Sequence, residues 1–132
     1  MAWALDKKDR SFQFGRLLAV MERAELDYYK KTQELRQTNA IKYMSEYRRR
    51  PWAVFERINR QLHQAYLGRI ELWQANRYER SVGEITGILS EFIEEELNMP
   101  LEDTYLMGYE LQRNDYFTKK ETNSEEINKE EE

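Results

Sequence analysis

The sequence predicts an all-α fold, a bundle of four to five helices followed by a disordered acidic tail. The chain of 132 residues contains only five Gly and two Pro, and it is rich in helix formers such as Glu, Lys, Arg and Leu. Apolar residues recur at spacings of three and four, and no alternating pattern is long enough for a strand. Short connections between such segments favour a bundle. We therefore expect one helical domain over residues 1–120 and a tail over residues 121–132.

The first predicted helix runs from about Asp9 to Lys31. Its apolar residues are spaced so that they share one face of a helix, and Asp9 or Ser11 can cap its start. The polar residues 33–38 then predict a break. The apolar set of this helix is Phe14, Leu17, Leu18, Met21, Ala24 and Tyr28.

A second helix is expected to begin at Asn39, which can cap it, and to end near Arg50. Pro51 disfavours the α conformation in the residue before it, and it suits the first position of a third helix. Gly68 marks either the end of that helix or a weak point inside it. The apolar face of the third helix consists of Trp52, Phe55, Ile58, Leu62, Ala65 and Tyr66.

The second half of the chain predicts two more helices. Ile70, Leu72 and Trp73 are apolar without a clear period, so the connection through them stays open. Asn76 is followed three residues later by Glu79, which is the spacing of a capping box. A fourth helix is therefore expected from this point until the Asn-Met-Pro sequence at residues 98–100. A fifth helix is expected to start near Leu101.

Charge is distributed unevenly along the chain. The net charge is -4, yet residues 1–80 contain 17 Lys and Arg against 10 Asp and Glu, and residues 81–132 contain 4 against 15. This split predicts a basic surface and a separate acidic segment. Residues 121–132 hold one apolar residue, too few to offset the entropy of ordering them. The basic part suits contact with phosphate, and a mixed solvated surface is the alternative.

Catalysis, metal binding and a membrane span find little support. The chain has no cysteine, and its single histidine, His63, lies within a predicted helix without a nucleophile motif nearby. Residues 94–96 are consecutive glutamates that point around a helix rather than towards one ion, and no Gly-rich phosphate loop occurs. No apolar run approaches the ~20 residues that span a bilayer, and the N-terminus does not have the order of a signal peptide.

We therefore expect a cytoplasmic protein that is not an enzyme, has no cofactor and binds no metal and no membrane. The enzymatic alternative would need a metal-dependent carboxylate site around Glu91 and Glu95. A di-iron bundle would need Glu-x-x-His pairs on facing helices, and the sequence has none.

Basic residues around the junction of the second and third helices are the strongest candidates for a functional site. The guanidinium fork matches phosphate oxygens. Helix N-termini near Asn39 and Pro51 would add backbone N–H donors for the same anion. The alternative is that the arginines pair with Glu34, Glu46 and Glu56 on the surface. The candidate DNA-contacting residues are Arg48, Arg49, Arg50, Arg57 and Arg60, with Lys30, Lys31 and Arg23 as a second group.

The many aromatic residues allow two interpretations. Most fall at core spacing, and packing in the core is the default for Phe14, Phe55 and Phe92. Rings beside a basic groove can instead stack on unpaired bases. The aromatic residues that flank basic ones are Tyr28, Tyr29, Tyr47 and Trp52.

Three sequence blocks then follow one another with defined gaps. They are GRLLAVMER at Gly15 to Arg23, TNAIKYMSEYRRRPWAVFERINRQLHQAY at Thr38 to Tyr66, and YLMGYELQR at Tyr105 to Arg113. In this order they resemble the C-terminal region of the large subunit of type I-C CRISPR Cascade complexes. The resemblance covers roughly residues 9–120. In that family the same region is also made separately, by an internal translation start, as a small subunit, and a chain of this length beginning with Met suits that product.

The resemblance implies a helical bundle that packs along the belly of a guide-RNA complex. Its implied partners are the large subunit, the backbone subunits and a second copy of the chain, together with target and non-target DNA, and crRNA indirectly. Base pairing reads the sequence in such complexes, while protein contacts to the DNA backbone stabilise the R-loop. The hypothesis is thus a non-catalytic small subunit in crRNA-guided antiviral defence. The alternative is a purely structural spacer that contacts only sister subunits.

Overall fold

The computed structural model describes residues 9–116, which form seven α-helices and no strand. The all-α prediction is therefore confirmed for these residues. The predicted acidic tail over 121–132 lies outside them, as do residues 1–8 and 117–120. The helices are α1 (Arg10–Thr32), α2 (Asn39–Lys42), α3 (Met44–Arg49), α4 (Pro51–Gln61), α5 (Leu72–Leu89), α6 (Glu94–Leu97) and α7 (104–116).

Helix α1 is the centre of the bundle, and it packs against α2, α4 and α5. It starts as predicted, because Oδ1 of Asp9 accepts a hydrogen bond from the backbone N–H of Phe12 at 2.8 Å. It ends where Gln33 adopts a left-handed conformation with φ 59°. Its predicted apolar face is buried except for Tyr28, which is half-buried, and Phe14 and Leu17 are fully inaccessible to solvent.

The predicted second helix is divided in two at Tyr43, whose backbone leaves the helical range at φ -103° and ψ 16°. Its cap is Thr38 rather than Asn39, because Oγ1 of Thr38 accepts from the N–H of Ile41 at 3.2 Å. Pro51 opens α4 as predicted. Beyond Gln61 the chain continues through one π turn, Leu62–Tyr66, and one 3-10 turn, Leu67–Arg69.

The predicted capping box at Asn76 and Glu79 is wrong. The helix begins earlier, at Leu72, where Glu71 and Gln74 cap each other: the side chain of Glu71 accepts from the backbone of Gln74, and Oε1 of Gln74 accepts from the N–H of Glu71 at 3.1 Å. Asn76 therefore lies inside α5.

The end of the fourth predicted helix also differs from the expectation. Helix α5 ends at Leu89 and not near residues 98–100. Glu94–Leu97 form a separate single turn, and the last helix begins at 104 rather than near Leu101. Within the described residues, the long fourth helix predicted from the sequence is thus one long helix and one short turn.

Helices α1 and α7 cross with their backbones in contact, at two glycines. A Cβ atom on Gly15 would lie 1.8 Å from the carbonyl oxygen of Tyr105, and one on Gly108 would lie 2.0 Å from the carbonyl oxygen of Phe12. Any side chain at either position would have to displace a backbone. The two glycines belong to the first and third sequence blocks, so this crossing explains one residue in each.

The segment before α7 is bound to the start of α1. The guanidinium of Arg10 donates to the carbonyl oxygens of Met99 at 3.0 Å and Pro100 at 2.8 Å. Oγ of Ser11 accepts from the N–H of Glu102 at 2.9 Å. These bonds close the bundle, because they connect residues about ninety positions apart in the sequence.

Candidate nucleic-acid interface

Arg23 lies inside the bundle, in an ion pair with Asp27. Its Nε is 3.2 Å from Oδ1 of Asp27, and only 14% of its side chain is exposed. Nη2 of Arg77 on α5 contacts the other oxygen of the same carboxylate at 2.8 Å. Arg23 therefore faces α5 rather than solvent, so its guanidinium is not part of the exposed basic surface.

The Gln-Arg pair of the third sequence block faces α1. Oε1 of Gln112 accepts from Nε of Arg16 at 3.0 Å. Nε of Arg113 lies 3.4 Å from the buried carboxylate of Glu22, which also accepts a hydrogen bond from the hydroxyl of Tyr109. Gln112 and Arg113 thus attach α7 to the central helix.

Glu25 is a buried carboxylate at the N-terminus of α2. Its Oε2 accepts from the N–H of Ala40 at 3.2 Å, and its side chain is completely buried. Burial raises the pKa of Glu25 to about 7, against the lowering effect of hydrogen bonds from Ala40 and Asn39. The protein's own carboxylate therefore occupies the position that an external anion would take at this helix end.

The sequence predicted that backbone N–H groups at the starts of α2 and α4 would bind an anion. This is wrong for the N–H groups whose hydrogen bonds the structure shows, because they already bind partners within the protein. At α2 these donors bind Glu25 and Thr38. At α4 the N–H of Ala53 donates to Oδ1 of Asn98 at 3.2 Å, and the next N–H donates to the carbonyl of Arg50. The N–H groups of Ala40, Ile41, Ala53 and Val54 are therefore already bonded within the protein and are not free for an anion.

All five arginines of the first predicted group, at positions 48–50, 57 and 60, are exposed, and they differ in their ion pairs. Arg49, Arg50 and Arg60 make no ion pair with any residue in the described range 9–116. Arg48 differs, because it pairs with Asp103 and lies over the ring of Tyr105, with its guanidinium carbon 5.6 Å from the centroid. The predicted basic and acidic segments are therefore not fully separate, since they meet at Arg48.

The two lysines of the second group also differ from each other. Lys30 is exposed and has no ion pair among residues 9–116. Nζ of Lys31 lies 3.3 Å from Oε1 of Glu71, and this pair connects the end of α1 to the start of α5.

Arg57 is held from two directions. Its Nη2 donates to Oε2 of Glu46 at 2.9 Å, and its guanidinium carbon lies 4.6 Å from the ring centroid of Tyr43. The alternative of surface pairing is therefore confirmed for Arg57. The ammonium of Lys42 is 5.7 Å from the same ring. We use the term basic corner for five of the exposed cations on and between α2, α3 and α4, namely Lys42, Arg49, Arg50, Arg57 and Arg60.

The aromatic residues proposed to stack on bases are mostly used in packing. Tyr29 and Tyr47 are buried, so that interpretation is wrong for both. Tyr28 stacks on Tyr66 with centroids 4.4 Å apart, and Trp52 contacts the core ring of Phe14. Phe14 and Phe55 are buried as expected, and Phe92 is half-buried.

Within the basic corner, the aromatic ring that two cations contact is Tyr43, which was not among the aromatic residues predicted to stack on bases. It lies at the junction of α2 and α3 and is half-buried. The signal in the sequence was only its neighbour Lys42, because Arg57 is fourteen positions away and reaches the ring only when α4 folds back.

A family model described as CRISPR-associated protein (Cas_Csd1) matches residues 1–117. The chain belongs to the Cas_Csd1 family. No curated protein and no solved structure matches it. The matched residues of this CRISPR-associated protein include both glycines of the α1–α7 crossing and all five cations of the basic corner.

The described part of the Cas_Csd1 chain also contains the carboxylates and the histidine considered as alternative sites. In residues 9–116 no three His, Cys, Asp or Glu side chains are grouped so that they could hold a metal ion, and this includes the region of Glu91 and Glu95. His63 is bonded on both ring nitrogens, to the carbonyl oxygen of Asn59 at 2.9 Å and to the carboxylate of Glu79. Across the same residues no helix has the length and apolarity that crossing a bilayer demands.

Proposed function

We propose that this CRISPR-associated protein is the small subunit of a type I-C Cascade complex and binds the DNA backbone, so that it stabilises the R-loop. The observation that carries the proposal is the set of exposed arginines without ion pairs at the basic corner, Arg49, Arg50 and Arg60. Arg16 and Arg77 have carboxylate partners, and the unpaired Arg69 and Arg80 lie on other elements of the fold. A phosphate approaching the three arginines of the basic corner displaces no carboxylate of residues 9–116, only solvent and counterions.

Contacts of this kind suit a strand exchange that is close to balanced. Forming a guide-RNA–DNA heteroduplex replaces a DNA duplex of similar stability, so protein contacts to the backbone tip the equilibrium without reading bases. Arg48 and Arg57 are a second tier in this proposal, because a phosphate must first compete with Asp103 or Glu46. The role requires no catalysis by this chain and no cofactor.

A matched pair of double variants tests the role of the basic corner. Arg49 and Arg60 are changed to Ala in one protein, and Arg69 and Arg80, which are also exposed and without ion pairs in residues 9–116, are changed in the other. We expect the first variant to reduce the slope of log affinity against log salt by about 1 to 2 for target DNA binding by the assembled complex. We expect the second variant to behave as the wild type. Equal slopes in all three proteins would remove the basic corner from the interface.

One observation favours the structural-spacer alternative, namely the exposed apolar side chains of α7. Leu106, Met107 and Leu111 are between 39% and 44% exposed. Such residues suit contact with a sister subunit. Changing all three to Gln should weaken assembly of the complex, whichever role is correct. A spacer without DNA contact additionally requires that loss of Arg49 and Arg60 leaves both assembly and DNA binding unchanged.

A further inference from the structure

We propose that Tyr43 and Arg57 form a stacking platform for one unpaired base of the bound strand. This inference rests on the proposed function, and it adds that the basic corner binds single-stranded and not double-stranded DNA. The feature behind it is the arrangement of Glu46, Arg57 and Tyr43, in which the guanidinium is fixed by a carboxylate and a ring.

The guanidinium carbon of Arg57 lies closer to a ring centroid than the charged group of any other cation–ring pair in residues 9–116. Its carbon is 4.6 Å from the Tyr43 centroid, whereas the other cation–ring distances in residues 9–116 are between 5.0 and 5.9 Å. Glu46 binds the edge of the same group at 2.9 Å. Half of the Arg57 side chain remains exposed. The guanidinium is thus held between a ring and a carboxylate, and its remaining exposed surface is what is left for a ligand.

The backbone of Tyr43 is held by hydrogen bonds on both sides. The N–H of Tyr43 donates to the carbonyl of Asn39 at 2.8 Å, and its carbonyl accepts from the N–H of Tyr47 at 2.8 Å. Tyr43 is thereby connected to both α2 and α3. The backbone that carries the ring is therefore ordered before a ligand binds, which favours recognition by a preformed surface.

These contacts favour a base over a phosphate as the ligand of Arg57. A phosphate would have to compete with Glu46 for the guanidinium edge, whereas a base needs only a free flat face. Unpaired bases stack on aromatic rings and on guanidinium planes. In a duplex each base is already stacked between its neighbours, so the platform selects unpaired nucleotides. Phosphates on either side of the stacked base would then be left to the exposed arginines of α3 and α4, Arg49, Arg50 and Arg60.

The test compares two oligonucleotides with the same number of phosphates, one of about 20 thymidines and one of the same length with abasic sites throughout. Binding of the full chain to each is measured by fluorescence anisotropy at low salt. We expect the wild type to prefer the thymidine strand by roughly tenfold, the size of one stacking contact. Arg57→Lys should abolish this preference, because lysine keeps the charge and loses the plane. Arg80→Lys, the same change on α5, should leave the preference intact.

Tyr43 provides an independent variant. Tyr43→Phe keeps the ring and should keep the preference, whereas Tyr43→Leu should lose it with no change in salt slope. Circular dichroism of each variant establishes that its helices are formed. The exposed side chain of Arg57 makes Arg57→Lys the variant least able to disturb the fold.

The outcomes separate this inference from the proposed function. Equal wild-type affinity for both strands would overturn the platform and leave backbone binding standing. A preference that persists in both Arg57→Lys and Tyr43→Leu would overturn the assignment to these residues. No binding to either strand would contradict the proposed function, and the platform with it, because exposed arginines bind phosphate without help from bases.

Discussion

Arginines on two sides of the central helix α1 have opposite uses. On the side of α5 and α7, Arg23, Arg77 and Arg113 contact the buried carboxylates of α1. On the side of α3 and α4, Arg49 and Arg60 have no carboxylate partner among residues 9–116. The same residue type therefore holds helices together in one region and remains available for a ligand in the other. What separates the two is whether a buried carboxylate lies within reach.

The largest expected effect concerns the crossing that brings α7 onto α1. In Gly15→Ala the new methyl group would overlap the carbonyl oxygen of Tyr105, and a backbone cannot move aside as a side chain can. We expect a loss of at least about 4 kcal/mol in the free energy of unfolding, measured by urea denaturation.

Gly87→Ala is the matched control for this substitution. Nothing lies within 4 Å of a Cβ atom at Gly87 on α5, so alanine should stabilise the protein by about 0.5 to 1 kcal/mol through its helix propensity. If Gly15→Ala were as stable as Gly87→Ala, the close crossing of α1 and α7 would be incorrect.

The buried ion pairs should show the next largest effect. Asp27→Asn keeps the shape of the side chain but removes the charge that Arg23 and Arg77 share. Because two largely buried guanidinium groups would then lack a counter-charge, we expect about 3 kcal/mol of destabilisation in thermal or urea unfolding. Surface substitutions usually change the free energy of unfolding by less than about 0.5 kcal/mol. A change of that size in Asp27→Asn would show that the buried ion pairs on this side of α1 do not stabilise the fold.

Glu25 should make stability depend on pH. Its pKa is about 7 in the folded protein and has its ordinary value, 4.5, in the unfolded chain. Between these values the folded state holds a proton that the unfolded state has lost, so stability is greatest below 4.5 and falls as pH rises through 7. We expect Glu25→Gln to remove roughly 2 kcal/mol of the decrease between about pH 5 and pH 8.

Urea unfolding at several pH values measures this decrease. The exposed Glu56, changed to Gln, is the control and should leave the pH profile as in the wild type. A Glu25→Gln profile parallel to that of wild type would mean that Glu25 does not titrate in this range.

The smallest effect on stability is expected at the basic corner. Arg49→Ala and Arg60→Ala should each change the free energy of unfolding by less than about 0.5 kcal/mol, because the side chains are exposed and unpaired within residues 9–116. Thermal unfolding of Arg49→Ala, Arg60→Ala and Asp27→Asn under the same conditions compares the three losses of stability directly. A loss near that of Asp27→Asn would show that these arginines have structural partners after all.

Where a single residue determines the start of a helix, the sequence predicted that start correctly. The start of α1 at Asp9 and the start of α4 at Pro51 follow from one residue each, and both are confirmed. The sequence did not predict the cap of α5, because Glu71 takes the place that Ser, Thr, Asp or Asn usually occupies. The spacing of Asn76 and Glu79 is the closer match to a usual capping box.

The candidate site depended on contacts that sequence does not show. Asp27 follows Arg23 by four positions on the same helix, a spacing that allows an ion pair, but only the packing of α5 against α1 reveals that this pair is buried. Gly15 and Gly108 are ninety-three positions apart, so their contact is visible only in the fold. The pairing of Tyr43 with Arg57 likewise needs α4 to fold back on the junction of α2 and α3.

Photo-crosslinking in the assembled complex loaded with labelled target DNA tests the central claim most directly. A crosslinking residue replaces Ala53, which is exposed on α4 four positions before Arg57, or Glu110, which is exposed on α7. We predict that position 53 attaches to labelled DNA and that position 110 attaches only to protein. Crosslinks from position 53 to protein alone would contradict DNA binding at the basic corner and favour a structural spacer.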